Sequence, residues 1–238
     1  MIDTFLPARW ENLIMANFKV SPEALKPYLP AGVKLDFYQN ATYVSLVGFM
    51  FKKTSLFNIP IPLLGTFEEI NLRFYVKRME GKVEKRGVVF INETVPYKAV
   101  AWLANKLYRE HYIAIPTKNS ISTDNDSKRI KYDWKINKAW NHIAVNTEKD
   151  NEQMLPGRIE EFIFEHYYGY TKINDCTSQE YKVNHPRWMV KKVKDYSIHC
   201  DFKAMYGEDF AFLSNQQPDS VIVAEGSNVS VNWKRVKF

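Results

Sequence analysis

Between residues 69 and 76 a carboxylate, a carboxamide, a guanidinium and a phenol take alternate positions: Glu69, Asn71, Arg73 and Tyr75, with Ile70, Leu72, Phe74 and Val76 between them. An extended chain turns successive side chains to opposite faces, so the four hydrogen-bonding groups share one face and the apolar groups the other. Turned into a sheltered interior, that face would couple strongly to an acidic ligand, with Glu69 as acid or base and Asn71, Arg73 and Tyr75 as binding groups. Turned to water, Glu69 and Arg73 are a solvated pair, too separated along the strand to touch and worth little. The sequence leaves both alternatives open.

Two aromatic stretches rich in histidine could contribute further groups: Glu165-His166-Tyr167-Tyr168-Gly169-Tyr170 and Asn184-His185-Pro186-Arg187-Trp188. Ile159, Phe162, Ile163 and His166 recur at helical spacing after the breaker Pro156-Gly157, which places His166 on an apolar helix stripe. A histidine there is either a hydrogen-bonded core residue or a ligand contact. His185 precedes a proline that restricts its backbone, which suits a structural bracket or a site residue. The sequence contains no GxSxG elbow, HExxH helix, phosphate-binding GxxxxGKS/T loop, GxGxxG fingerprint or zinc-type Cys/His spacing, so the common hydrolase, zinc-protease and nucleotide-binding chemistries lose their support.

The elements that would position these groups are mostly strands. Thr42 to Phe51 has no clear polar face and predicts a central strand covered on both sides. Gly81 marks a turn, followed by an apolar strand from Gly87 to Val95. Ile130, Tyr132, Trp134 and Ile136 alternate with polar residues as a half-exposed strand, and Ala139 to Val145, Gln179 to Val183, Tyr196 to Cys200, Val221 to Ala224 and Asn228 to Val236 add others. Three short helices interrupt them. Ser21-Pro22-Glu23 opens one that Pro27, Pro30 and Gly32 must end quickly. Val100, Leu103, Ala104 and Leu107 give the stripe of a second, and residues 159–166 form the third. The polar segment Thr117 to Lys128 reads as a surface loop. Consecutive strands joined by short turns predict an α+β, mainly antiparallel β architecture in which the sheet closes on itself.

The 238 residues, 45% of them apolar, suffice for one core and a single domain over 1–238. Lys and Arg exceed Asp and Glu by 33 − 27 = 6, and the positive charges are dispersed, which argues against a nucleic-acid partner. Cys176 and Cys200 are too few for a disulfide framework and too far apart in sequence for a CxxC pair. No apolar run approaches a membrane span and the start of the chain has no signal-peptide pattern, so a cytoplasmic protein without a membrane partner is expected.

Several of these segments also resemble a known family. Arg9-Trp10-Glu11-Asn12-Leu13, Leu29-Pro30-Ala31-Gly32-Val33, Tyr43 to Phe49, Phe67-Glu68-Glu69-Ile70-Asn71-Leu72-Arg73, Glu165 to Tyr170 and His185-Pro186-Arg187-Trp188 are together similar to the bacterial YqjF-like proteins of unknown function, over nearly the whole chain. That resemblance implies the fold of acetoacetate decarboxylase, a mostly antiparallel barrel or cone with peripheral helices and an internal cavity. In the decarboxylase a cavity lysine forms a Schiff base with a keto acid, assisted by a glutamate and an arginine. The resemblance makes Glu69 the counterpart of that glutamate and puts Arg9 close to the arginine, two residues out of register. His111 and Tyr112 fall where the lysine pair stands, and neither Lys106 nor Lys118 matches it, so decarboxylation through an imine is not expected.

The combined expectation is a cavity for a small, acidic, carbonyl-type organic molecule, with acid/base chemistry that needs neither metal nor cofactor. Glu69 would be the acid or base and His111 or His185 a second proton carrier. Arg9 and Arg73 would meet the anion, and Asn71, Tyr75, Tyr112, His166, Tyr170 and Trp188 would complete the binding surface. The alternative is a non-catalytic ligand-binding or structural protein, including a homo-oligomer built on its aromatic surplus.

Overall fold

A computed structural model describes residues 4–56, 59–60, 65–232 and 236–238. Its principal strands are β1 (Thr4–Val20), β2 (Thr42–Lys52), β3 (Phe67–Glu80), β4 (Val83–Val95), β5 (Tyr112–Ala114), β6 (Thr117–Thr123), β7 (Ser127–Ile136), β8 (Ala139–Glu148), β9 (Tyr168–Asn174), β10 (Thr177–Asn184), β11 (Val193–His199) and β12 (Ser220–Asn232). The helices are α1 (Pro22–Leu25), α2 (Lys98–Tyr108), α3 (Ile159–Phe164) and α4 (Phe202–Tyr206), the last followed by a 3-10 segment, Glu208–Asn215.

The large sheet runs β12-β1-β2-β3-β4-β9-β10, and β10 pairs back onto β12 through Val183 with Val231 and Asn184 with Ser230, closing a ring. All of these pairings are antiparallel except β4 with β9, and β5 adds a second parallel pairing on β4. A four-stranded sheet, β11-β8-β7-β6, stands outside the ring. The expected closed, mainly antiparallel sheet with few helices is therefore what the chain forms.

Alternation along β3 divides the interior into two cores. Ile70, Leu72, Phe74 and Val76 face outward and pack with Ile130, Tyr132 and Trp134 of β7, Ile143 of β8 and Phe202 of α4. On the inner face Tyr75 joins Leu13, Met15, Val47, Phe49 and Phe162. β2 lies between β1 and β3 and is buried along almost all of its length, as its continuous apolar run requires. α1 begins where Ser21 accepts the Glu23 N–H at 3.3 Å, with Pro22 at the first helical position.

Four expectations are corrected. Thr117 to Lys128 is not a loop: β6 and the start of β7 occupy it as an edge hairpin, and its polar composition reflects an outer strand bathed by water. α3 ends at Phe164, so His166 lies beyond the helix and is buried by the turn into β9. Val221–Ala224 and Asn228–Val236 are not separate strands up to residue 232. They join in β12 through Gly226, whose φ of +88° lets the chain bend opposite Glu11, where a Cβ would collide with the Trp10 carbonyl. The helical segments after residue 201 carry too short a stripe to be seen in sequence, yet Phe202, Met205 and Phe210 seat them on the outer core.

Candidate functional site

A cavity of about 130 Å3 opens inside the ring, beside the N-terminal half of β3. Its walls are largely aromatic and aliphatic: Trp10 and Leu13 from β1, Phe49 and Phe51 from β2, Phe67 from β3 and Phe90 from β4. α2 closes one side with Val100, Leu103, Ala104 and Leu107, so the stripe that predicts the helix is also a wall of the cavity. Into this apolar space project Glu69, Asn71 and Arg73 of β3, Glu93 of β4, Glu110 from the α2–β5 connection, Tyr112 of β5 and Tyr181 of β10.

Each carboxyl has different partners. Glu69 is 2% exposed, takes a hydrogen bond from Asn71 Nδ2 to Oε1 at 2.9 Å and one from the Tyr112 hydroxyl to Oε2 at 3.1 Å. Burial lifts its pKa to about 7, although those two hydrogen bonds and the Arg73 guanidinium pull the other way. Burial also raises Glu110 to about 7, against hydrogen bonds from the Thr171 hydroxyl at 2.8 Å and the Tyr181 hydroxyl at 2.9 Å. Glu93 is pushed well above the carboxylate range by burial and by the neighbouring Glu110 and Glu69. Its Oε2 has no hydrogen-bond partner among the described residues, nor has Asn71 Oδ1. The register places Asn71 directly opposite Glu93 across β3 and β4.

The supports of the site are local. α2 ends at Arg109, in the left-handed conformation, and Asn105 then clamps the start of β5, accepting the Tyr112 N–H at 2.7 Å and donating to the Tyr112 carbonyl at 2.9 Å. That clamp aims the Tyr112 hydroxyl at Glu69. Tyr181 reaches Glu110 by crossing directly over Gly169, where any Cβ would run into its ring. Arg73 Nη2 lies 3.5 Å from the Met15 sulfur and its guanidinium 5.7 Å from the centre of the Tyr75 ring; it enters no ion pair among the described residues and has a buried Nε without a partner.

Of the sequence-derived candidates, Glu69, Asn71, Arg73 and Tyr112 meet in the cavity. The others lie elsewhere. Arg9 is on the flank of β1, 39% exposed, with Nε 2.5 Å from Glu11 Oε1. His111 is exposed, and only its carbonyl touches the site, accepting the Glu93 N–H at 3.1 Å. His185 stacks on Trp188 with ring centres 4.1 Å apart and donates from Nδ1 to its neighbour's carbonyl, Pro186 O, at 2.9 Å. Trp188 backs the cavity wall by packing on Trp10, and its Nε1 donates to Ser227 Oγ at 2.8 Å. Tyr170 is buried against β4, donating to the Lys85 carbonyl.

Tyr75 and His166 belong to a second polar group, at the other end of the strip. The Tyr75 hydroxyl hydrogen-bonds Ser45 Oγ at 2.6 Å, and its ring packs 4.9 Å from that of His166. His166 Nε2 lies 3.2 Å from Asp36 Oδ2, which also takes Arg86 Nε at 2.7 Å, while Lys77 Nζ is 3.5 Å from Oδ1. Burial lowers the His166 pKa to about 4. Asp36 is driven up by burial, but the His166 and Arg86 contacts outweigh that and hold it well below the usual range.

Sequence reasoning missed Glu93, Glu110 and Tyr181. Glu93 stands two residues from the end of an apolar strand and Glu110 follows a helix, positions where a charged residue signals only an exposed end. Their inward direction comes from the ring closing around them.

Among the described residues lining the cavity there is no lysine, and no group of His, Cys, Asp or Glu among the described residues is arranged to hold a metal ion. No helix among them is long and apolar enough to cross a membrane.

The DUF2071 family, described as an uncharacterized conserved protein, matches residues 7–228. The chain is 25% identical over 193 residues to the uncharacterized protein YqjF of Bacillus subtilis, covering 78% of this chain and 74% of that one. Among solved structures, an acetoacetate decarboxylase-like enzyme from Sphingomonas wittichii superposes with a TM-score of 0.66 at 9% identity, over 99% of this chain and 94% of the other. Acetoacetate decarboxylase from Legionella pneumophila gives 0.62 at 9%, over 96% and 84%. The enduracididine biosynthesis enzyme MppR, complexed with pyruvate, gives 0.62 at 10%, over 97% and 90%.

Proposed function

This chain belongs to the DUF2071 family, and we propose that it binds a small carboxylate-bearing carbonyl compound in the cavity of its acetoacetate decarboxylase-like fold and exchanges a proton with it through Glu69. The observation that carries this is the presence in one apolar cavity of a guanidinium, Arg73, that enters no ion pair among the described residues and a carboxyl, Glu69, whose burial brings its pKa to about 7. A guanidinium in such a space favours an anion, and a carboxyl poised near neutrality can both take and return a proton. The Tyr112 hydroxyl, donating to Glu69, holds the carboxyl in place. Pyruvate in the structural neighbour MppR supports the size and chemistry of such a ligand. With no lysine among the described lining residues, the chemistry assigned here is proton transfer and not imine formation.

Pyruvate in D2O, followed by proton NMR, tests this. The wild-type protein is expected to be stabilised thermally by pyruvate and to speed deuterium exchange at its methyl group. Arg73→Gln should lose the stabilisation, and Glu69→Gln should keep it while losing the exchange. Absence of any pyruvate-dependent thermal shift in the wild type overturns the anion-binding half. Exchange that survives Glu69→Gln overturns the other half, and a borohydride-trapped lysine adduct would replace proton transfer with imine chemistry.

A further inference from the structure

The cavity's polar groups are unevenly matched. Three carboxyls, Glu69, Glu93 and Glu110, share it with one guanidinium, and two buried oxygens, Glu93 Oε2 and Asn71 Oδ1, on residues paired across β3 and β4, have no hydrogen-bond partner among the described residues. Glu93 and Asn71 are 2% and 1% exposed, so bulk water does not satisfy them. A buried acceptor without a donor costs about 1–3 kcal/mol, which a ligand can recover by supplying the missing N–H groups. A carbonyl oxygen or a carboxylate can take up the unpartnered donors of the same lining, Arg73 Nε, Trp10 Nε1 and Thr54 Oγ1, but set against this acceptor pair it supplies no donor. An ammonium brings three donors and a positive charge, and the aromatic walls of Trp10, Phe49 and Phe67 suit a cation as well. A metal ion is not favoured, because these side chains do not converge on one point.

We propose that Glu93 and Asn71, with Glu69 and Glu110 around them, form a subsite for a protonated amine, so that the molecule taken up carries an ammonium, set on this acceptor pair, in addition to the carboxylate on Arg73. The Arg73 end rests on the function proposed above, whereas the ammonium end stands on the unmatched acceptors alone. Arg73 follows Asn71 by two residues on the same face of β3, roughly 7 Å along the strand, which favours a separated amine and carboxylate over an α-amino acid. A cavity of about 130 Å3 holds a ligand about the size of benzene. In the empty protein burial shifts Glu69 and Glu110 toward their protonated forms, and burial together with its two acidic neighbours shifts Glu93 the same way. The charged or titratable groups that share the cavity with Glu93 are Glu69 and Arg73 from β3, Tyr108 from α2, Glu110 from the connection, Tyr112 from β5 and Tyr181 from β10. An ammonium therefore displaces a proton on entering at neutral pH.

The test uses three probes of nearly equal size, 4-aminobutanoate, butylamine and butanoate, titrated calorimetrically into the full chain at pH 7 in two buffers of different ionisation enthalpy. 4-Aminobutanoate should bind about tenfold or more tightly than butanoate, as expected for a charged hydrogen-bonding group added to a matched site. Both amines should release protons, and Glu93→Gln should remove most of that preference while leaving butanoate unchanged. Equal affinity of 4-aminobutanoate and butanoate in the wild type overturns the ammonium subsite even if Glu93→Gln fails to fold. Butanoate binding that depends on Arg73 but gains nothing from the amine removes this inference and leaves the proposed function standing. Amine binding indifferent to Arg73→Gln does the reverse, and failure of all three probes to bind overturns both.

Discussion

At one end of the polar strip on β3, Asp36 receives Arg86, His166 and Lys77, and the rings of Tyr75 and Phe162 fill the space around them. At the other end, Glu69, Glu93 and Glu110 share a cavity with a single guanidinium, and two acceptor atoms go unmatched. Both regions bury carboxyls, and the chain deals with their desolvation in opposite ways. Asp36 stays ionised because hydrogen bonds from His166 and Arg86 and the Arg86 charge outweigh its burial, while burial pushes the glutamates toward their protonated forms, with one guanidinium among them. A buried acid with a full set of partners is part of the scaffold. A buried acid lacking them, beside empty space, is where a ligand has something to add.

Truncation at the paired end should have the largest effect. Asp36→Ala strands His166 and Arg86 and should cost about 3 kcal/mol in urea unfolding, toward the low end for a buried pair because Arg86 and Lys77 are partly exposed. A loss below about 1 kcal/mol would mean that this cluster is not the rigid half of the contrast. Gly169→Ala drives a methyl into the Tyr181 ring and should cost about 1–3 kcal/mol while withdrawing a donor from Glu110. An unchanged melting temperature would show that Tyr181 has room to move.

The two ends should also respond to pH with opposite signs. Glu69 and Glu110 remain protonated in the fold where the unfolded chain has already ionised. Their stabilisation is complete below the ordinary value of 4.5 and is lost as pH rises to about 7. His166 stays neutral in the fold, so its contribution is present above 6.5 and is lost as pH falls toward about 4. Urea midpoints measured from pH 4 to 8 for the wild type, Glu110→Gln and His166→Gln separate the two, each variant flattening only its own limb. Glu93→Gln, a neutral isostere of an already protonated group, should change stability by less than about 1 kcal/mol, in contrast to Asp36→Ala. Smallest of all, Arg9→Ala at the half-exposed flank should cost about 0.5 kcal/mol, and a larger loss would give that residue a role its solvated pairing with Glu11 does not explain.

Local pattern made some of the site legible. The alternation from Glu69 to Tyr75 put four polar groups on one face, and three of them, Glu69, Asn71 and Arg73, reach the cavity. The fourth, Tyr75, is carried past it by the same strand into the Asp36 cluster, a boundary that periodicity cannot mark. The stripe of α2 was visible because helical spacing repeats over two turns, while α4 is too short to show one. β1 escaped notice because Pro7, Arg9 and Glu11 interrupt its apolar residues, and its length reflects pairing with two neighbours. The aromatic stretch around residue 166 was visible by composition, but its histidine closes a charge cluster rather than the cavity.

Which side chains share a face, where helices start and that strands dominate were determined by the sequence alone, because those properties depend on spacings of a few residues. That Glu93 and Glu110 meet Glu69, and that Asp36 and His166, 130 residues apart, meet each other, was decided only by closure of the sheet. The physical reason is one of range: backbone geometry orders near neighbours on its own, whereas the environment that sets a carboxyl's charge is assembled from strands distant in sequence.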